Sequence, residues 1–143
     1  MTTETRSNES QITRGFRELV AEANTAIRTY SPEEAIDRLD EDGVLFVDVR
    51  DAPELTEGRV PGAIHASRGM LEFHIDPDSP YYMDEFSDAA ELVFYCAAGA
   101  RSALAAQRAA EMGRDRVAHV AGGFPAWTEA GGPIRGDDTS GSQ

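Results

Sequence analysis

The residues best suited to chemistry surround the only cysteine of the chain, Cys96. It follows a short apolar run, residues 92–95, and precedes a loop of small residues and one arginine: Ala97, Ala98, Gly99, Ala100, Arg101 and Ser102. Small residues allow the backbone to curl tightly, so that successive N–H groups point inward and form a nest for an anion. A helix that begins here adds partial positive charge, and both effects favour a thiolate. The segment therefore predicts a nucleophilic Cys96 in an anion cradle that Arg101 closes.

Two alternatives compete with this interpretation. A lone cysteine after an apolar strand is commonly a small buried hydrophobe with no chemical role. The glycine, the arginine and the helix start favour the nucleophile, because together they are surroundings that activate a thiol. Cysteine phosphatases also place a cysteine in an anion cradle, but with the pattern Cys-x5-Arg, whereas here the arginine comes one residue earlier. The shorter loop makes a smaller ring, which argues against a phosphoryl group as its ligand.

The composition excludes several other mechanisms. The 143 residues include 26 acidic and 13 basic ones, all of the latter arginine, and the net charge is −13. Without lysine, a Schiff base and a P-loop lysine are excluded, and the negative charge argues against nucleic acid and anionic membranes as partners. One cysteine allows no internal disulfide, and the histidines show no metal-ligand spacing, so we predict neither a metal nor a cofactor. The absence of a targeting segment or a membrane-spanning run predicts a cytoplasmic protein.

Strand-type and helix-type segments alternate along the chain, which predicts an α/β fold with a parallel sheet covered on both faces. Apolar residues at helical spacing predict an amphipathic first helix over residues 10–27. Ser31, Pro32 and Glu34 predict the capped start of a second helix that runs to about residue 39. Strands are predicted at residues 44–47, 63–66, 92–95 and 117–120, and further helices at residues 53–57, 69–75, 100–112 and 124–130.

The chain divides into three parts. Residues 1–28 are predicted to hold a polar tail and the first helix, residues 29–133 one domain, and residues 134–143 a disordered tail. The apolar stripe of the first helix needs a partner, either the domain body or a second copy in a homodimer. The irregular segment 67–90 carries four aromatic residues that either form a lid over the site or pack on the body: Phe73, Tyr81, Tyr82 and Phe86.

Three motifs follow one another in the chain. The first is Asp48-Val49-Arg50, followed by Glu54 and by Gly-Arg-Val-Pro-Gly-Ala at residues 58–63. The second is Cys-x-x-Gly-x-Arg-Ser at residues 96–102, and the third is Gly-Gly-Phe-Pro-Ala-Trp at residues 122–127. In order and spacing they resemble the motifs of the rhodanese sulfurtransferase family over residues 29–133. The resemblance implies a parallel sheet of about five strands with helices on both faces.

The resemblance also implies sulfur transfer through Cys96. Its thiolate would attack the sulfane sulfur of a donor such as thiosulfate, sulfite would leave, and the Cys96 persulfide would pass its outer sulfur to a thiol or to cyanide. The N–H groups of residues 97–101 would cradle that outer sulfur, and the partners would be a small-molecule donor and a thiol acceptor. The alternative is a non-catalytic binding or regulatory module of the same fold; the intact cysteine, glycine and arginine favour the enzyme.

The sequence departs from the family at positions that bear on the donor. Many members that use thiosulfate carry a further basic residue in the loop, where this chain has only alanines, and Arg59 replaces the usual histidine. These departures leave the identity of the donor open. The roles of Arg59 and of His74, near the expected rim of the cleft, are left open as well.

Two residues outside the loop are assigned to substrate binding. Asp48 would support the loop or position Arg101, and its alternative is a structural ion pair. Arg68 would attract an anionic donor to this acidic protein, and its alternative is a solvated arginine. Arg50 is expected to form a structural ion pair, for example with Glu54.

Overall fold

Five strands and five α-helices alternate along the computed structural model, which describes residues 11–136. The strands are β1 (Arg28–Tyr30), β2 (Val44–Asp48), β3 (Ile64–His65), β4 (Glu91–Tyr95) and β5 (Val117–Val120). The helices are α1 (Phe16–Ala26), α2 (Pro32–Arg38), α3 (Leu71–Ile75), α4 (Ala100–Glu111) and α5 (Gly123–Glu129), with 3-10 helices at Ala52–Glu57, Arg68–Met70 and Asp84–Asp88. All strand pairs are parallel, in the order β1-β5-β4-β2-β3, which confirms the predicted fold class. None of the helices within residues 11–136 is long and apolar enough to cross a membrane.

The central strand β4 is buried on both of its faces, which explains its continuous apolar sequence. Leu92 and Phe94 join one hydrophobic core together with Cys96 and the alanines of α4. Val93 and Tyr95 join a second core, beneath α2 and α5. The alternation carries on past the end of the strand, so Cys96 emerges at the carboxyl edge of the sheet on the α4 side.

The first helix is shorter than its sequence pattern predicts. It begins at Phe16, with Gly15 as its N-cap, and the predicted start at residue 10 lies outside the described residues. The helix packs against α4 of the same chain, with Ala23 buried and Leu19 half-buried, whereas Phe16 is 60% exposed. The domain body therefore covers the apolar stripe from Leu19 to Ala23, and a homodimer through its exposed part stays a prediction.

An edge strand that the residue pattern did not predict, β1, follows α1 almost directly. Arg28 and Thr29 are exposed and only Tyr30 is buried. A strand of three residues with two polar, exposed positions has no apolar run, so the residue pattern predicts no element between the first helix and Ser31. β1 pairs with β5, where Thr29 lies beside His119, and this pairing anchors the end of α1 to the sheet.

The irregular segment 67–90 ends at the edge of the sheet opposite Cys96, whereas Arg68 near its start donates its backbone N–H to the carbonyl of Val49, just after β2. Phe86 is buried, and the Arg114 guanidinium donates to the carbonyls of Phe86 at 3.0 Å and Ala89 at 2.5 Å. Ala89 leads into the amino end of β4, whereas Cys96 leaves its carboxyl end. These contacts favour packing over a lid for this part of the segment.

Part of the predicted C-terminal tail is folded. Arg135 pairs with Arg59 through two backbone hydrogen bonds of 2.8 Å. Nearby, the buried Trp127 of α5 donates its indole N–H to the carbonyl of Pro133 at 2.8 Å and meets the Phe46 ring edge to face. The remainder of the predicted tail, from residue 137 onward, lies outside the described residues.

Candidate active site

Cys96 lies directly after β4, and the loop that follows turns the chain into α4. The residue is 1% exposed, and its Sγ atom accepts the backbone N–H groups of Gly99 at 3.1 Å and of Ser102 at 3.3 Å. Gly99 has a φ of +108°, a left-handed conformation that side chains disfavour, and this turn directs its N–H at the sulfur. The sulfur therefore sits where amide donors converge at the start of a helix, an arrangement that stabilises an anion.

The other loop residues separate the sulfur from the surface. Ala98 is exposed, Ala97 and Ala100 are half-buried, and Ser102 is fully buried. No side chain larger than a methyl group stands on the outer side of the loop before Arg101. A reagent therefore meets mainly backbone when it approaches this part of the loop.

A pair of glycines supports the loop from below. The N–H of Phe124 donates to the carbonyl of Cys96 at 2.8 Å, which ties the start of α5 to the loop. A Cβ atom on Gly123 would lie only 2.4 Å from that carbonyl oxygen, and the residue has a φ of +69°. Only glycine fits both demands, and this explains the Gly-Gly pair of the third motif.

Arg101 is held by a carboxylate from the 3-10 helix Ala52–Glu57. Its guanidinium donates two hydrogen bonds to Glu54, at 2.9 Å to Oε1 and 3.0 Å to Oε2. This bidentate bond lowers the pKa of Glu54 from 4.5 to about 2 and raises the pKa of Arg101. The structure thus brings Arg101 together with Glu54 and not with Asp48.

Asp48 instead holds Arg50 inside the protein. The Asp48 carboxylate, which is 0% exposed, accepts Nε of Arg50 at 3.0 Å and Nη2 at 2.8 Å. The same guanidinium donates to the carbonyls of Gly58 at 2.8 Å and Glu54 at 3.3 Å, and it lies 4.6 Å from the Phe124 ring centre. Arg50 therefore forms a structural ion pair as expected, but with Asp48 and not with the Glu54 carboxylate. Its hydrogen bonds to the carbonyls of Glu54 and Gly58 hold the segment that carries the partner of Arg101.

On the opposite side of Cys96 a line of neutral groups extends to the first helix. Sγ lies 3.4 Å from Oγ of Ser102, which lies 2.9 Å from Nδ1 of His119 in β5. The other ring nitrogen of His119, Nε2, lies 2.8 Å from Oδ1 of Asn24 in α1. Burial lowers the pKa of His119 from 6.5 to about 4, so its ring is neutral at pH 7.

The side chains of the remaining candidates have partners other than the sulfur. The guanidinium of Arg68 pairs with Glu72 of α3 at 3.2 Å, on the side of that helix and α4. Arg59 donates to the carbonyl of Ala63 at 3.2 Å, and Nδ1 of His74 lies 3.0 Å from the carbonyl of Tyr81. Within residues 11–136, no group of three or more His, Cys, Asp or Glu side chains could hold a metal ion.

Sequence reasoning missed three residues at this site. Glu54 stands in the first motif, but the sequence suggests it only as an example of a partner for Arg50. His119 shows no metal-ligand spacing with the other histidines, and neither His119 nor Asn24 lies in a motif. Their positions beside the carboxyl edge of the sheet follow only from the order of the strands and from the docking of α1.

The chain belongs to the family of the rhodanese-like domain, whose model matches residues 31–130. Within residues 11–136, the match covers every strand and helix except α1 and β1, which lie before it. The recognised family and the five-stranded parallel sheet it implies are therefore both confirmed.

Individual relatives extend this result. A sulfurtransferase from Allochromatium vinosum is 35% identical over 66% of this chain and 81% of its own length. The thiosulfate sulfurtransferase GlpE from Actinobacillus succinogenes is 32% identical over 76% of this chain and 91% of its own. Among solved structures, a protein of unknown function from Rhodopseudomonas palustris, described as a possible tyrosine phosphatase, is 48% identical with a TM-score of 0.82, over 87% of this chain and 96% of its own.

Proposed function

We propose that this chain is a rhodanese-type sulfurtransferase in which Cys96 carries the transferred sulfur as a persulfide. The observation that carries the proposal is the position of Sγ at the base of the loop, with the N–H groups of Gly99 and Ser102 directed at it. Relatives named sulfurtransferase and thiosulfate sulfurtransferase, which align with most of this chain, support the reaction class.

The reaction has two displacement steps on sulfur. In the first, the Cys96 thiolate attacks the sulfane sulfur of the donor, the S–S bond of the donor breaks, and sulfite or a thiolate leaves with the electron pair. In the second, an acceptor thiolate or cyanide attacks the outer sulfur of the persulfide, and the Cys96 thiolate leaves. The N–H groups of the loop stabilise negative charge on Cys96 and on the outer sulfur, so both steps use the same donors.

The charge around the loop bears on the donor. Both oxygens of Glu54 engage Arg101, and the chain as a whole carries a net charge of −13. Arg68 is committed to Glu72, so attraction for an anionic donor depends mainly on the backbone N–H groups. We therefore propose a sulfane donor of lower charge than thiosulfate, such as a small organic persulfide.

Two other functions can be separated by experiment. The description of the Rhodopseudomonas palustris relative suggests phosphate-ester hydrolysis, but the loop of this chain has four residues between Cys96 and Arg101, which makes a ring too small for a phosphoryl group. In a binding or regulatory module of the same fold, the Cys96 thiol would have no chemical role. The burial of Sγ against two amide donors favours catalysis over that alternative.

The decisive experiment measures the intact mass of the protein after incubation with thiosulfate or with a small organic persulfide. We expect the native chain to gain one sulfur atom and to lose it on addition of cyanide or a thiol. Cys96→Ser, which keeps the shape of the side chain, should gain none. Hydrolysis of an aryl phosphate should stay at the level of that variant.

Absence of any mass gain with either donor, in a protein that is folded, would overturn the proposed function. Hydrolysis of the aryl phosphate that depends on Cys96 would support the phosphatase instead. A larger rate with the organic persulfide than with thiosulfate would support the proposed donor class, and the reverse would contradict it.

A further inference from the structure

The line of hydrogen bonds from Cys96 to α1 has no part in the sulfur transfer described above. It contains a buried histidine, His119, which is 3% exposed, and a fully buried serine, Ser102. Its outer end, Asn24, belongs to α1, before the residues that match the family model. The line therefore joins the reactive sulfur to an element outside the family match, through groups that can carry a proton.

The chemistry of each group fixes the direction of the line. Oδ1 of Asn24 can only accept, so the proton of the neutral His119 ring lies on Nε2. Nδ1 is then an acceptor, and Ser102 gives its hydroxyl proton to it. The lone pairs of the Ser102 oxygen are thereby left for the S–H of Cys96, which lies 3.4 Å away.

We infer that Ser102 and His119 form a proton relay for Cys96, and that Asn24 is the positioning residue that sets the His119 ring for it. The inference rests on the proposed function, in which Cys96 must become a thiolate. The S–H bond breaks and its proton passes to Oγ of Ser102, while the Ser102 hydroxyl proton passes to Nδ1 of His119. The products are a thiolate and an imidazolium, and the Ser102 hydroxyl then donates to the thiolate.

Burial makes the two charges depend on each other. Because the His119 ring is costly to charge when it is buried alone, the imidazolium is favoured only with the Cys96 thiolate as its counter-ion. The polar groups that face His119 are Ser102 from α4, Asn24 from α1 and Thr29 from β1, with Cys96 beyond Ser102, while β4 contributes the apolar Phe94 beside it. Of these, Cys96 alone is titratable, so the relay couples His119 to the thiol and to no other facing group.

The outer end of the relay is open to substitution and to solvent. Asn24 and His119 line a cavity of about 300 Å³ together with Val20 and Thr29 of the same wall and with the outer side of the loop. Asn24 itself is exposed. A change at this position therefore alters the partner of His119 without opening a hole in the core.

The test compares Asn24→Asp with a matched control, Thr25→Asp, which adds the same charge one residue further along α1, at another exposed position. The readout is the pH at which the alkylation rate of Cys96 by iodoacetamide reaches half of its maximum. A carboxylate beside Nε2 stabilises the imidazolium, so Asn24→Asp should lower this pH by about one unit. Negative charge acting directly on Cys96 opposes a thiolate, so Thr25→Asp should leave the midpoint unchanged or raise it.

A second pair of variants assigns the shift to the relay. His119→Gln and Ser102→Ala each interrupt the line, and in either background the effect of Asn24→Asp should vanish. A midpoint in Asn24→Asp that is unchanged or raised, as in the control, would overturn the relay, and so would a shift that persists with His119→Gln. If His119→Gln does not fold, the comparison of Asn24→Asp with Thr25→Asp still decides.

Alkylation needs no sulfur donor, so the relay and the proposed function can fail separately. If the native chain gains no sulfur but Asn24→Asp lowers the alkylation midpoint, the relay is supported and the sulfurtransferase function is overturned. If the native chain gains sulfur but all variants have identical alkylation profiles, the sulfurtransferase function is supported and the relay is overturned.

Discussion

The two sides of Cys96 are built from different kinds of interaction. On one side, charged groups face each other: Arg101 binds Glu54, and Arg50 binds Asp48 beneath them. On the other side, Ser102 and His119 are neutral and are joined by single hydrogen bonds. Ion pairs with bidentate geometry fix side chains in one position, whereas a line of neutral donors and acceptors can reverse its direction. The charged side thus holds the loop in shape, and the neutral side is suited to moving a proton.

The largest effect on stability and turnover is expected at Gly123, which packs against the backbone of Cys96, between the two sides. Gly123→Ala would place a methyl group 2.4 Å from the carbonyl oxygen of Cys96 and would strain a left-handed backbone. We expect a loss of more than about 2 kcal/mol of stability, and a fall in sulfur transfer of about a hundredfold from the displaced loop. Thermal unfolding and turnover measure the two effects.

The control for this prediction is Gly131→Ala. That glycine also has a positive φ, of +90°, but a Cβ atom there would meet no atom within 4 Å. The variant should show the backbone strain without the clash and should keep its sulfur-transfer rate. Equal losses of turnover in both variants would contradict the role of Gly123 as a support of the loop.

The neutral side should lose stability in mild acid. The pKa of His119 is lowered from 6.5 to about 4 in the folded chain, so below pH 6.5 the unfolded chain binds a proton that the folded chain excludes. Its contribution is complete above about pH 6.5 and is lost as the pH falls toward 4, by about 2–3 kcal/mol. Urea unfolding between pH 7 and pH 4 measures it, and His119→Gln should flatten this part of the curve. If the free energy of unfolding of the native chain and of His119→Gln changes equally between pH 7 and pH 4, the loss of stability does not come from His119.

The charged side should depend on the shape of the guanidinium as well as on its charge. Arg101→Lys keeps the positive charge but cannot bind both oxygens of Glu54. We expect kcat for sulfur transfer to fall by about tenfold, because the loop is no longer fixed on this side. Arg108→Lys, an exposed change on the same helix, is the control and should leave kcat unchanged. Unaltered kinetics in Arg101→Lys would show that charge alone matters there.

The smallest effect concerns the same ion pair in stronger acid. The pKa of Glu54 is lowered from 4.5 to about 2, so its contribution to stability is present above about pH 4.5 and is lost as the pH falls toward 2. Both side chains are about one-third exposed and therefore screened by solvent, so we expect about 1 kcal/mol. Glu54→Gln should abolish the loss of stability between pH 4.5 and pH 2 and keep the loss between pH 6.5 and pH 4 that His119 causes. If the His119 contribution disappears instead, the two sides are not independent.

The elements that carry the loop could be predicted because their signals are local. The apolar runs of β2, β4 and β5 and the glycine of the loop act through neighbouring residues, so their sequence pattern determines their structure. β1 has no such signal, since only Tyr30 of its three residues is buried. The start of α1 depends on Gly15 and on how much of the stripe α4 covers, and neither follows from helical periodicity alone.

The partners within the site could not be predicted, because they are distant in the chain. Glu54 and Arg101 are separated by 47 positions, and Asn24 and His119 by 95. With 26 acidic residues available, sequence alone cannot choose the carboxylate that binds Arg101. The strand order, which puts β2 and β5 on either side of β4, makes that choice.

The position of the single tryptophan gives the protein a built-in optical reporter. Trp127 lies in the short helix whose first residues bond to the Cys96 carbonyl, and its ring packs on Phe46 and Gly132. Its fluorescence emission therefore reports changes in the packing of that helix. The chain has no other tryptophan that would contribute to the signal. Fluorescence can thus follow movements of α5 against the Cys96 loop during turnover, in the native sequence and without an attached dye.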